Sequence, residues 1–112
     1  MLFVLVDEPG LFVYETVAEA EAGIEAYDAD LIQQAFDENG IPYHVHWIRP
    51  KDSGKRIFGM RVFDDPGEYR LVPAGEADLA GFAKLLQAHP TWANAGPSAE
   101  LEAIRSRMAM ES

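Results

Sequence analysis

His44-Val45-His46 sets two imidazoles two residues apart. On a strand that spacing turns both rings to the same face, the way alternate residues converge on a zinc or iron ion. A metal site needs at least a third ligand in suitable geometry. No His or Glu cluster surrounds the pair, and His89 is remote in sequence. Two histidines on the wetter side of a half-buried strand account for the motif, leaving His44 and His46 as metal candidates only if another ligand joins them. With Tyr43 they could also supply the polar groups of a small-ligand pocket on the sheet face.

Other chemistries find less support. Ser53, Ser98, Ser106 and Ser112 lie outside any G-x-S-x-G elbow, and the glycines build no G-x-G-x-x-G or Walker-type phosphate loop. Asp64-Asp65 and the pair Asp28/Asp30 sit beside turn-like sequence, where solvated carboxylates are the ordinary outcome. With no cysteine, thiolate metal sites, disulfides and cysteine nucleophiles are excluded. No catalytic residue and no cofactor is assigned.

The elements that would carry these residues follow from periodicity and punctuation. Leu2 to Val6 and Leu11 to Glu15 flank Asp7-Glu8-Pro9-Gly10 and read as a hairpin. Thr16 with Glu19 forms a capping box for a helix whose stripe is Val17, Ala20, Ile24 and Tyr27. Leu31 to Phe36 and Ile41 to Ile48 pair around Asp37-Glu38-Asn39-Gly40, with Ile41, Tyr43, Val45 and Trp47 on the buried face. Arg56 to Phe63 and Tyr69 to Val72 suggest a further strand pair around Asp64-Asp65-Pro66-Gly67. Asp78 caps a helix bearing Leu79, Phe82, Leu85 and Leu86 that Pro90 stops. Ser98 caps a last one through Leu101, Ile104 and Met108.

These elements predict an α+β fold: an antiparallel sheet of five to six strands, the first two helices packed on one face, and a peripheral C-terminal helix. Residues 1–90 form the single domain and 91–112 a linker and helix. Trp92 sits in that linker, either tucked on the core or left out as an interface anchor. The opening Leu2-Phe3-Val4-Leu5-Val6 lacks a basic n-region and ends at Asp7, so no secretory signal is expected and the cytoplasm is the default. No apolar stretch approaches the ~20 residues of a membrane span, so no membrane partner is expected.

Charge is the unusual feature. The chain carries nineteen acids against nine bases, a net charge of −10. Residues 1 to 48 hold ten of the acids and no Lys or Arg, while the remainder is balanced. That disfavours a nucleic-acid partner, since phosphate binding wants a basic stripe that no strong negative field opposes. The short basic cluster Lys51, Lys55, Arg56 and Arg61, near Phe58 and Phe63, does not overturn this. Solubility alone could explain an acidic surface. The functional alternative is a docking face for a basic protein, with Glu15, Glu19, Glu21, Glu25, Asp28, Asp30 and Trp92 as its residues, because complementary fields speed encounter and exclude wrong partners. On a continuous helix Glu21 and Glu25 would repel each other, and a basic partner would relieve that.

In size and charge the chain is similar to bacterial immunity proteins that neutralise a cognate toxin, a likeness of bulk properties without a shared motif. It implies a non-enzymatic inhibitor of a basic partner. The alternatives are the small-ligand or metal-binding domain around His44 and His46, and a structural homo-oligomer, a homodimer in the simplest case, whose basic loop meets the acidic half of another copy.

Overall fold

The computed structural model describes residues 1–7, 10–50, 56–57, 60–61, 67–95 and 98–110. Expectations at Glu8-Pro9, at Lys51 and Lys55, at Phe58 and Phe63, at Asp64-Asp65 and for the side chains of Tyr27, Arg56 and Arg61 lie outside the described residues.

The apolar opening run becomes β1 (Leu2–Val6), which pairs on one side with β2 (Gly10–Tyr14) and on the other with β3 (Ile32–Asp37), both antiparallel. Its alternation serves two cores. Leu2, Val4 and Val6 point to one side of the sheet and Phe3 to the other, all buried. A strand apolar on both sides needs a cover on both sides.

The covers are three helices. α1 (Val17–Gly23) starts as predicted, with the Thr16 hydroxyl accepting from the Glu19 N–H at 3.1 Å. α2 (Leu79–Ala88) and α3 (Ala99–Ala109) start likewise, at Asp78 and Ser98. Ala20 of α1 and the adjoining Ile24 pack with Leu2, Val4, Tyr69 and Leu71. On the opposite face Phe82, Leu85 and Leu86 of α2 join Leu101, Ile104 and Met108 of α3 over Phe3, Leu11 and Phe36. The aromatic centre is close-packed, with Phe82 5.1 Å from Phe3 and 5.5 Å from Phe36 between ring centroids.

The α+β class and the five-stranded antiparallel sheet agree with expectation; the distribution of helices over the faces differs. The two helices sharing a face are α2 and α3, and α1 lies opposite. α3 is not peripheral, because its three apolar side chains complete the Phe3 and Phe82 core and are at most 6% exposed. It belongs with residues 1–90 in packing.

The sheet order is β2-β1-β3-β4-β7, with β4 at Pro42–Arg49 and β7 at Glu68–Pro73. Among the described residues short β5 (Arg56–Ile57) and β6 (Met60–Arg61) pair only with each other. The expected partnership of 56–63 with 69–72 is therefore corrected: β7 pairs with β4. The physical reason is matched faces. Val45 lies opposite Leu71 and Trp47 opposite Tyr69, putting apolar side chains together and His44 and His46 on the other side.

α1 is shorter than its stripe suggested. It ends at Gly23, Ile24 is extended, and the segment Ala26–Leu31 continues as a 3₁₀ turn. A Cβ at Gly23 would stand 2.8 Å from Cε1 of Tyr14, so only glycine lets the helix end approach β2 this closely. α1 also touches β7. Since β2 and β7 are the outer strands, the sheet curls round α1 and presents both its edges to it. Among the described residues no helix is long and apolar enough to cross a membrane.

Candidate functional site

Among the early acids, Glu21, Asp37 and Glu38 are occupied within the fold. Glu21 Oε2 accepts the Leu71 N–H at 2.7 Å, capping a backbone donor of β7. The Asp37 carboxylate accepts from the Asn39 and Ile41 N–H groups at 2.9 and 3.0 Å and so shapes the β3–β4 turn. Glu38 pairs with the N-terminal ammonium at 3.0 Å. Glu21 is thus a structural ligand of the sheet edge. Because α1 stops at Gly23, Glu21 and Glu25 do not form the repelling helical pair expected of them.

Glu15, Glu19, Glu25, Asp28 and Asp30 are exposed. Glu15 and Glu19 border a groove of about 530 Å³, together with Tyr14, Asn94, Ser98 and Glu100. Glu100 comes from the first turn of α3, so the acidic groove draws on both halves of the chain. No Lys or Arg lines it. Among the described residues Glu68 meets Arg49 at 3.7 Å and Arg70 at 3.1 Å, and no later base pairs with Glu15, Glu19, Glu25 or Asp28.

Arg105 and Arg107 are spent on backbone. Arg105 donates to the carbonyls of Leu86 and His89, both at 2.7 Å, and Arg107 to that of Glu38. Burial pulls the Arg105 guanidinium below its ordinary range, opposed by the neighbouring Glu102. Its plane lies 4.0 Å from the Trp92 ring, which also packs 5.6 Å from Phe3. Trp92 is accordingly half-buried against the core, with one face covered by Arg105.

The edge beside the groove is closed by one side chain. Asn94 accepts from the Val13 N–H at 2.9 Å and donates to the Val13 carbonyl at 2.8 Å, imitating a neighbouring strand. Sequence reasoning missed Asn94, and no local signal marks it.

His44 and His46 project from the solvent side of β4, both exposed. His44 borders a cleft of about 240 Å³ where β3 and β4 part; the ladder between them is limited to Ala35 with Tyr43 and Phe36 with Pro42. Asp30, Gln33, Gln34 and Tyr43 line it too, while His46 does not. Among the described residues no group of three or more His, Asp or Glu side chains is placed to hold a metal ion.

A further cavity of about 250 Å³ opens beside the end of α1, lined by Val6, Phe12, Tyr14, Gly23, Ile24, Asp28 and Leu31. Burial raises the Tyr14 hydroxyl. Tyr69 behind it is pushed up to about 12, by burial first and then by Glu21, Tyr14 and Asp28. Phe12 and Tyr14 share one side of β2 by simple alternation, which is the signal that could have found this pocket; its other wall, from α1 and the 3₁₀ segment, has none. Comparison with protein families, with curated proteins and with solved structures finds no match to this chain.

Proposed function

We propose that this is a small acidic, non-enzymatic binding protein that holds a basic protein partner against the groove of Glu15, Glu19 and Glu100, in the manner of an immunity-like inhibitor acting in the cytoplasm. The observation that supports the reading is the acidic character of that groove: three carboxylates border it, no Lys or Arg lines it, the Met1 ammonium in its lining is already paired with Glu38, and Arg105 and Arg107 are committed to backbone carbonyls. An acidic concavity of this kind concentrates field and raises the encounter rate with cationic surfaces.

The test is capture with the immobilised chain and with a double variant, Glu15→Lys with Glu19→Lys. The expected result is retention of a basic protein, its release as salt shortens the screening length, and its loss on the variant. Equal retention by both proteins, or capture of neutral or acidic partners only, overturns the proposal. Both positions are exposed, so an unchanged thermal midpoint separates lost docking from lost folding.

A further inference from the structure

The cavity beside the end of α1 has a different character from the acidic groove. Its wall is mixed, with an apolar part made by Val6 from β1, Phe12 from β2, Ile24 after α1, and Leu31 at the end of the 3₁₀ segment. Among the described residues Tyr14 and Asp28 are the lining residues with polar side chains, and neither side chain has a hydrogen-bond or ion-pair partner among those residues. Satisfied polar groups surround them. The Tyr69 hydroxyl donates to the Ile24 carbonyl at 2.5 Å, and Glu21 is held by Leu71. The pocket therefore combines one carboxylate residue and one phenol residue with apolar neighbours, and the charges of Glu21 and Asp28 are felt at Tyr69 nearby.

A volume of about 250 Å³ falls below the roughly 300–1,000 Å³ of sites for drug-sized ligands. It suits one ring with a short side chain. A carboxylate ligand would meet repulsion from Asp28, and a neutral one would gain no charge attraction from it, the exposed carboxylate simply staying hydrated. We propose that this cavity binds a small organic ammonium ion with an apolar body, the ammonium donating to Asp28, the Tyr14 hydroxyl or ring face beside it, and the body against Phe12, Ile24 and Leu31. Tyr14 lines both this cavity and the groove of Glu15 and Glu19, but Asp28, Phe12, Ile24 and Leu31 line this cavity and not the groove, so the inference does not depend on the docking reading.

The experiment is a titration of the full chain, followed by amide resonances in two-dimensional NMR, with phenethylamine, its neutral isostere phenethyl alcohol, and phenylacetate. The expected result is saturable shifts at Gly23, Ile24, Asp28 and Leu31 with the amine, markedly weaker binding of the alcohol, and none of the acid. Asp28→Asn, nearly isosteric and exposed, should weaken the amine by about tenfold while leaving the rest of the spectrum in place. Gly23→Ala, which drives a methyl group at the Tyr14 ring, should weaken it without changing charge. Absence of saturable shifts with phenethylamine, equal binding of amine and alcohol, or an unaffected Asp28→Asn variant overturns the proposal. Tighter binding of a capped lysine amide at the same resonances also overturns it, assigning the pocket to a protein side chain instead.

Discussion

Tyr69 of β7 donates its hydroxyl hydrogen to the carbonyl of Ile24, 2.5 Å away across forty-five positions of sequence. Ile24 is where α1 ends, so this one bond satisfies a helix-terminal acceptor and fastens the last strand of the sheet to its first helix. Tyr69→Phe keeps the ring but leaves the carbonyl without its donor. It should cost about 1 to 2 kcal/mol of unfolding free energy, read from urea melts, because a buried acceptor loses its partner. A cost within error of zero would mean that solvent reaches Ile24 in its place.

The same residue predicts an alkaline limit. In the unfolded chain a tyrosine titrates near 10.0, whereas folded Tyr69 is pushed up to about 12. Between those values the native state holds more protons than the unfolded state, so the stabilisation is complete below about pH 10 and is lost as pH rises toward 12. Tyr14 and Tyr43, both raised first of all by burial, add a slope of the same sign. Urea midpoints measured from about pH 9 to about pH 11 should fall steadily, and fall less steeply in Tyr69→Phe.

What could be read from the sequence follows the range of each interaction. The caps at Thr16, Asp78 and Ser98 were legible because each spans three residues. The β3–β4 hairpin was legible because Gly40, at φ 79°, advertises its turn. The face taken by each helix was not, since β1 is apolar on both sides and offers no preference. The stop of α1 at Gly23 depends on the Tyr14 ring, which periodicity within the helix does not report. In the acidic groove Glu15 and Glu19 were visible as charge, but Glu100 reaches them only through the docking of α3. Glu21, chosen as a surface acid from the same pattern, is instead tied to Leu71, a contact fifty residues away.

Asn94→Ala tests the guarded edge. Losing both bonds to Val13 should destabilise the fold by about 1 to 2 kcal/mol and expose the outer edge of β2 for pairing with another chain. Light scattering should then show stronger concentration-dependent association than in the parent. A monomeric variant of unchanged stability would show that the neighbouring Ala93 bond to the Leu11 carbonyl suffices.

Arg105 joins α3 to the last carbonyls of α2 with two donors of one guanidinium, while its plane covers Trp92. A lysine offers a compact ammonium in place of this fork and loses the stacked plane. Arg105→Lys should cost about 1 to 3 kcal/mol in chemical denaturation and shift Trp92 emission to longer wavelength as its ring becomes wetter. A variant with unaltered emission would show that Phe3 alone sets the environment of Trp92.

Glu21 separates structural from docking charge. Its carboxylate accepts the Leu71 N–H at 2.7 Å, so Glu21→Ala should lower stability by about 1.5 to 3 kcal/mol, the range for hydrogen bonds to charged groups. Glu21→Gln keeps an amide oxygen for that N–H and should recover part of the loss while removing the charge. Exposed Glu19 should behave in the opposite way: neutralising it leaves chemical denaturation unchanged and slows association with a basic partner. If Glu21→Gln slowed association as much as Glu19→Gln at unchanged stability, β7 would have to lie within the docking face, and the groove of Glu15, Glu19 and Glu100 would be too narrow a description of it.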